Sequence, residues 1–394
     1  MKNILQQNLD AYRRGWSMPQ GFYTEPAIFE QEITQIWRKY WLFAGLSTTI
    51  PNAGDYFLYK IHTDSVIIIR GNKGEIYAHH NTCRHRGSLI CLEASGNAPA
   101  LMCPYHQWVF DKSGKLLKAR LMPDDFDKSA HGLHPVQVRV VAGLIYVCLD
   151  ENPPVFDKVA HDFNQFLRPF SLEKAKIAHQ TTYTLHTNWK LITENFRECY
   201  HCGPAHPEYC NAVVGANMRE SAEKETAQKA AVWQAKGFAT DTVNFEGDSF
   251  HFAVRYPLRN GLQSYSLDGG KVALPMGEHQ DYDAGVVGLV SYPNFWIDAV
   301  SDYVWVMQIT PISPAKTRVD ITWLVDAAAV EGLDYTVERL TEFWKVTAEQ
   351  DWQLCENNYA GICSSSYQPG PLAPAETDVI LFLEWYNQRL KIVH

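Results

Sequence analysis

The sequence predicts an α+β protein in two structural units, a small all-β domain and a larger one with helices over an antiparallel sheet, preceded by N-terminal helices. Three observations predict it. Residues 1–40 carry apolar side chains at helical spacing. Between Trp41 and Asn152, short runs of β-branched and aromatic residues are punctuated by Gly, Pro, Asn and Asp. Beyond residue 153, amphipathic helical segments are interleaved with period-two strands. The expected domains are therefore 1–40, with its helices packing on the last domain, then 41–152 and 153–394. At 394 residues and 46% hydrophobic content, the chain is long and apolar enough to give each large unit its own core.

The elements follow in order. Helices are expected over Ile4 to Arg14 and Glu25 to Tyr40, the second around Ile28, Phe29, Ile33, Ile36 and Trp37. Strands are expected at Tyr56 to Tyr59, Ser65 to Arg70, Glu75 to His79 and Gly143 to Leu149, and Asn152-Pro153-Pro154 reads as the exit linker. In the last domain Thr181 to Leu185 is strand-like, Trp189 to Cys202 helix-like, and Met218 to Lys236 a polar, Ala-rich helix. Val286 to Ser291, Tyr303 to Ile309 and Val319 to Val325 alternate as strands, and helices at about 335–358 and 376–390 close the chain.

Composition excludes several classes. A formal charge of −9 offers no net cationic field for phosphates, so no nucleic acid is expected as a partner. The N-terminus MKNILQQNLDAYRRGW lacks an apolar secretory core, and no stretch approaches roughly 18 uninterrupted apolar residues. No membrane association is expected and a cytoplasmic location is. In that reducing setting the nine cysteines are read as free thiols or metal ligands, not as a disulfide framework.

Two of those cysteines sit in a first constellation. Cys83-Arg84-His85 and Cys103-Pro104-Tyr105-His106 place one thiolate and one imidazole on each of two loops of the β domain. A Rieske 2Fe–2S centre needs this set, with cysteines on one iron and histidines on the other. Gly87 suits a tight turn after the first pair and Pro104 stiffens the second loop. A zinc site is the competing reading, although zinc motifs usually pair Cys with Cys and His with His. Cys91 and Cys148, in apolar surroundings, read as core thiols.

The second constellation lies in the helix-like segment after Trp189. Glu194, Glu198 and His201 are spaced four and three apart, on one face of a helix, and Pro204 ends that helix so that His206 turns back toward His201. Two histidines need a carboxylate to complete a facial triad with open positions for O2. In the helix at about 335–358, Leu340, Phe343, Trp344, Thr347, Leu354 and Cys355 form an apolar stripe with Asp351 near its middle. Glu338, Glu342, Glu349 and Glu356 fall on the other side. A lone carboxylate aimed into a core is costly unless it is paired or binds metal, which makes Asp351 the candidate ligand; a buried Asp held by Arg or backbone donors is the alternative.

With both constellations in place, the chain resembles the Rieske oxygenase α subunits along nearly its full length. It is most similar to the branch that demethylates quaternary ammonium compounds such as glycine betaine, carnitine, stachydrine and choline. The shared stretches are CRHRG, CPYHQW, NWKLITENFRECYHCGPAHPE, VEGLDYTVERL, the segment around Glu349-Gln350-Asp351, and SYQPGPLAP. The resemblance implies that Cys83, His85, Cys103 and His106 hold the cluster and that His201, His206 and Asp351 hold a mononuclear Fe(II). It also implies a homotrimer in which Glu198, where many members carry Asp, links His106 or His85 of one subunit to His201 of another. A surface glutamate capping a helix turn is the alternative for Glu198.

No strand–GxGxxG–helix unit for a nicotinamide or flavin is present, so electrons are expected from a separate reductase, which the resemblance implies is an NAD(P)H-dependent flavin/iron–sulfur protein. The function expected is hydroxylation of an N-methyl group with O2, releasing formaldehyde and the demethylated amine. A ring-hydroxylating dioxygenase and a Rieske electron carrier are the alternatives. A quaternary nitrogen has no proton to donate and is recognised by aromatic faces. Tyr265, Tyr292, Phe295, Trp296, Tyr303 and Trp305 lie in the half of the chain expected to form the pocket.

Overall fold

A computed structural model of the chain describes residues 3–212, 219–245, 249–259 and 261–391. They form two compact units: Trp37–Phe156, and the residues up to Ile36 together with those from Asp157 onward. The unit boundaries thus fall at 36/37 and 156/157, against expected divisions at 40/41 and 152/153.

The first unit is all β, in three small antiparallel sheets. Leu42–Leu46 pairs with Leu144–Cys148, so the two ends of the unit meet in one sheet. Asp64–Arg70 lies between Ile76–His80 and Asp55–Ile61. Its apolar run Val66-Ile67-Ile68-Ile69 is wholly buried, which is why it reads as a continuous hydrophobic stretch. A hairpin of Leu101–Met102 and Val109–Phe110 carries the second Cys-His loop at its tip. Ile67, Ile69, Ile90, Leu101, Trp108 and Phe110 pack together with Cys83 and Cys103, so the hydrophobic core runs directly beneath both loops.

The second unit centres on a six-stranded antiparallel sheet. Its order is Lys176–Leu185, Lys316–Val325, Tyr303–Ser313, Phe295–Val300, Val286–Ser291, His251–Tyr256. The long helix Val337–Ile362, capped by the Thr336 side chain, packs against the helix Trp189–Phe196 and the edge strand Lys176–Leu185. Thr377–Leu390 closes the chain. The α+β class is therefore as expected.

Several elements depart from expectation. The second N-terminal helix is an α-helix over Pro26–Glu32 that runs into a π-helical turn, Ile33–Trp37, in which Ile33, Ile36 and Trp37 are each buried. The helix expected to reach Cys202 stops at Phe196. Downstream of it the Glu198 carboxylate accepts the backbone N–H groups of Tyr200 and His201, which competes with the helical ladder. Glu194, Glu198 and His201 therefore do not share one helical face. The polar helix begins, within the described residues, at Arg219 and ends at Ala235; Met218 lies outside them. Leu354 points outward, 37% exposed, and leaves the stripe on Val337–Ile362 to Leu340, Phe343, Trp344, Thr347, Asp351 and Cys355. Among the described residues no helix is long and apolar enough to cross a membrane.

Candidate metal centres

The two Cys-His loops of the β unit fold alike. Cys83 N–H donates to Ser88 O at 2.8 Å and Gly87 N–H to Cys83 O at 3.0 Å. Twenty residues on, Cys103 N–H donates to Trp108 O at 2.9 Å and Gln107 N–H to Cys103 O at 3.0 Å. Each loop turns through a left-handed residue, Gly87 at φ 77° and Gln107 at φ 60°. The turn at Gly87 is the expected one; the turn at Gln107 carries no glycine to announce it.

The repeated turn brings like groups together. The Cys83 and Cys103 thiols are buried within hydrogen-bonding reach of each other, and burial pushes the Cys83 thiol up while the His85 and Arg86 amides point at its sulfur. His85 Nδ1 and His106 Nδ1 stand 3.1 Å apart, with the exposed His85 ring stacked on Trp108 at 4.9 Å. One thiol pair and one imidazole pair match the two ends of a 2Fe–2S rhomb. Zinc would draw all four ligands to one point. Among the described residues, the side chains close enough to share a single ion are instead His201, His206 and Asp351. Cys91 and Cys148 are buried, and burial pushes their thiols up to about 11 and about 12.

That second group is assembled from two distant segments. His201 and His206 come from the irregular chain after Phe196, and Asp351 from the buried face of Val337–Ile362. Asp351 Oδ1 lies 2.9 Å from His206 Nε2 and 3.3 Å from His201 Nε2, and the ligand atoms all fall within 4.8 Å of one another. Each imidazole has a partner on its other nitrogen: His201 Nδ1 faces Glu198 Oε1 at 2.5 Å, and His206 Nδ1 faces Gln350 Oε1 at 2.7 Å. Those acceptors hold Nδ1–H and turn both Nε2 atoms toward Asp351, as the hydrogen-bond partners of metal-binding histidines do.

The electrostatics agree. Burial opposes protonation of His201, but the Asp351 and Glu198 carboxylates outweigh it and hold the imidazole up to about 9. Asp351 is 4% exposed; burial works to raise its carboxyl, yet the two imidazoles hold it below the usual range. The site is a well of negative potential that stabilises added positive charge, with two nitrogens and one carboxylate as donors. This donor set fits a mononuclear iron with open positions.

The expected residues do not all gather here. Glu194 instead accepts a hydrogen bond from Tyr23 Oη at 3.0 Å in a buried setting that pushes its carboxyl up to about 8. Cys199 and Cys202, expected as free thiols or metal ligands, are joined in a disulfide; the turn that replaces the helix brings their Cα atoms to 4.8 Å, on either side of His201. The other seven cysteines form no disulfide.

A cavity of about 660 Å³ opens onto His201, His206 and Asp351. Phe196, Tyr209, Phe252, Tyr256, Trp296 and Trp344 line it, with Arg197, Thr347 and Asp298 among them. Of the six aromatic residues singled out in the sequence, Trp296 lines the cavity, while Tyr265, Tyr292, Phe295, Tyr303 and Trp305 are buried. Sequence reasoning missed Gln350, Asp298 and Arg197. Gln350 adjoins Asp351 in the chain, which is a usable signal. Asp298 follows Trp296 by two positions on one strand face, a weak signal without the fold.

Residues 172–392 match the family described as ring hydroxylating alpha subunit (catalytic domain), and residues 40–133 match the Rieske [2Fe-2S] domain. The chain is 38% identical over 388 residues to the glycine betaine monooxygenase oxygenase subunit of Pseudomonas aeruginosa, covering 95% of this chain and 89% of that one. It is 34% identical over 203 residues to the carnitine monooxygenase oxygenase subunit of Acinetobacter baumannii, covering 50% of this chain and 54% of that one. Among solved structures, the quaternary ammonium Rieske monooxygenase CntA in complex with L-carnitine aligns over 99% of both chains, with a TM-score of 0.71 and 23% identity. That likeness shows the fold.

Proposed function

The chain belongs to the ring-hydroxylating α subunits with a Rieske domain, and on that premise we propose that it hydroxylates an N-methyl carbon of a quaternary ammonium compound of the glycine betaine kind. Membership brings two cofactors, a Rieske 2Fe–2S cluster and a mononuclear iron, and makes the chain the oxygenase subunit of a system with a separate reductase. One observation carries the substrate reading: His201, His206 and Asp351 converge at the wall of a cavity lined by aromatic rings. Aromatic faces attract an alkylated cation that has no proton to donate.

Cys83, Cys103, His85 and His106 would hold the cluster, and His201, His206 and Asp351 the iron. When bound, the two cofactors supply one-electron transfer and the activation of O2 toward C–H bonds. The protein's own part is positional. Glu198 and Gln350 keep the Nδ1 protons, so both Nε2 atoms stay free to ligate. Trp344 and Thr347, two turns and one turn before Asp351, wall the cavity on the iron side and restrict water. Inserting one atom of O2 into a C–H bond of the N-methyl group, while two reductase-supplied electrons and two protons carry the other atom off as water, gives a carbinol on nitrogen. Its collapse breaks the C–N bond and leaves formaldehyde, the tertiary amine and a proton.

The reading extends to a homotrimer in which Glu198 joins His106 or His85 of the partner subunit to His201. It extends also to an NAD(P)H-dependent flavin/iron–sulfur reductase and to a cytoplasmic setting. The test is formaldehyde release from a panel of betaines by the reconstituted protein with O2 and an electron source. Release with one betaine, lost in Asp351→Ala, is the expected result. Turnover of arenes with no formaldehyde from any betaine would overturn it in favour of ring hydroxylation.

A further inference from the structure

The acids lining the 660 Å³ cavity differ in how their charge is met. Asp351 and Glu198 face the imidazoles of His201 and His206. Asp378 faces the Arg197 guanidinium at 3.2 Å, and Asp241 is exposed to water. Asp298 is 5% exposed, and among the described residues no cationic side chain pairs with it. Its carboxylate is met by two neutral donors, Trp296 Nε1 at 2.8 Å and Tyr256 Oη at 3.2 Å. A buried carboxylate without a cation is costly, and here the cost falls beside an opening large enough for a small molecule.

The surroundings keep that place open and rigid. Asp298 pairs across the sheet with Gly288, where an added Cβ would stand 3.3 Å from Asp298 Oδ1. Tyr265 Oη backs Tyr256 Oη at 2.9 Å, and Tyr303 Oη is anchored on Tyr265 O at 2.8 Å, so the donor to Asp298 is held from behind. Arg197 lies against the Trp296 ring, its guanidinium carbon 5.7 Å from the centroid, and spends its charge on Asp378. Tyr209, three residues past His206, feels the charge of both Asp298 and Asp351, which places the unpaired carboxylate within electrostatic reach of the iron ligands.

We propose that Asp298 is the specificity-determining counter-charge for the quaternary ammonium pole of the substrate, with Trp296 and Tyr256 as the aromatic faces beside it. This rests on the proposed function and deepens it. The aromatic walls fit a neutral branched hydrocarbon of the same shape as a trimethylammonium group, and cation–π attraction gives the cation a modest preference that the charge of Asp298 would enlarge. A fixed negative charge in the wall favours the cation and disfavours its neutral isostere. An arene gains nothing from it.

Asp298 is then a binding residue whose loss changes selectivity more than chemistry. The test is equilibrium binding of glycine betaine and of tert-butylacetate, its carbon isostere, to the holoenzyme and to Asp298→Asn and Asp298→Glu, with the cluster absorption as the check on folding. Wild type is expected to prefer betaine. Asp298→Asn should lose roughly tenfold to hundredfold in betaine affinity with tert-butylacetate unchanged, and Asp298→Glu should keep the preference. In turnover the Asn variant raises KM for betaine more than it lowers kcat. Equal losses for both ligands, or no loss for either, overturn the assignment of Asp298 and leave the substrate reading standing. A wild type that binds neither betaine nor any other quaternary ammonium compound overturns both. Repeating the wild-type competition below about pH 6, where the carboxyl takes up its proton, gives the same reading without a variant.

Discussion

The two metal centres are built in opposite ways. The cluster loops are local: each is a six-residue turn, the two lie on neighbouring pieces of one small β unit, and each loop supplies one thiol and one imidazole. Their thiols are buried while His85 is exposed and His106 half-buried, so one end of the site faces the core and the other the surface. The mononuclear site is long-range. Its carboxylate stands 145 positions from the nearer histidine, His206, and His206 and Asp351 are almost fully buried. The difference matches two tasks. A group that receives electrons from another protein needs an exposed edge, whereas oxidation of a C–H bond needs a site that controls water.

Removing one ligand from each centre gives the largest effect and tests their independence. Asp351→Ala should lose about one iron per chain and essentially all turnover while the visible spectrum of the cluster persists. Cys103→Ala should do the reverse, abolishing the spectrum while the mononuclear iron remains. Metal analysis beside absorption spectroscopy reads both, and joint loss in either variant would break the comparison.

Smaller effects sharpen it. The Gln350 side chain meets the mononuclear site at His206 Nδ1, so Gln350→Ala should weaken iron binding roughly tenfold to hundredfold and leave the cluster potential unmoved. Next comes pH. Burial pushes the Asp298 carboxyl up to about 6, with the Trp296 and Tyr256 donors acting against it, so it is charged above that pH and neutral below. Betaine affinity should therefore fall as pH is lowered through about 6, and this slope should vanish in Asp298→Asn. The tyrosines facing Asp298, Tyr209, Tyr256 and Tyr265, are all raised by burial and keep their protons across that window.

The smallest effects lie in the cluster loops, where the two turns share a conformation but not a residue. Gly87→Ala meets no atom within 4 Å, so its expected cost of about 1 kcal/mol is backbone strain alone. Gln107→Gly should stabilise by up to about 1 kcal/mol by releasing the same strain, less the entropy glycine adds to the unfolded chain. Denaturant melts of both variants decide it, and equal signs would mean the loops are not equivalent.

Much of this was legible in the chain because the information is local. Cys83, His85, Cys103 and His106 stand within turns whose residues dictate their own geometry, and Asp351 interrupts an apolar stripe that helical periodicity exposes. Strands such as Val286–Ser291 came out at the expected positions because a short apolar run is buried on both faces there, without the expected alternation. The segment from Phe196 to His206 did not. Helical spacing grouped Glu194 with Glu198 and His201, but Glu198 caps the next turn through its side chain and Glu194 turns to Tyr23 instead. The Cys199–Cys202 bond depends on that same break in the helix.

The sequence by itself pointed to the class of the protein, to the candidate ligands of two centres and to the order of elements, since each reading rests on residues near one another or on a period of the chain. The tertiary structure alone decided the cavity. Asp298, Tyr209, Arg197 and Trp344 come from separate elements, and each is unremarkable in its own segment. They acquire a function when the sheet and the long helix bring them around one space, because a binding site is defined by convergence in space and the charge left unpaired there can be counted only after every neighbour is in place.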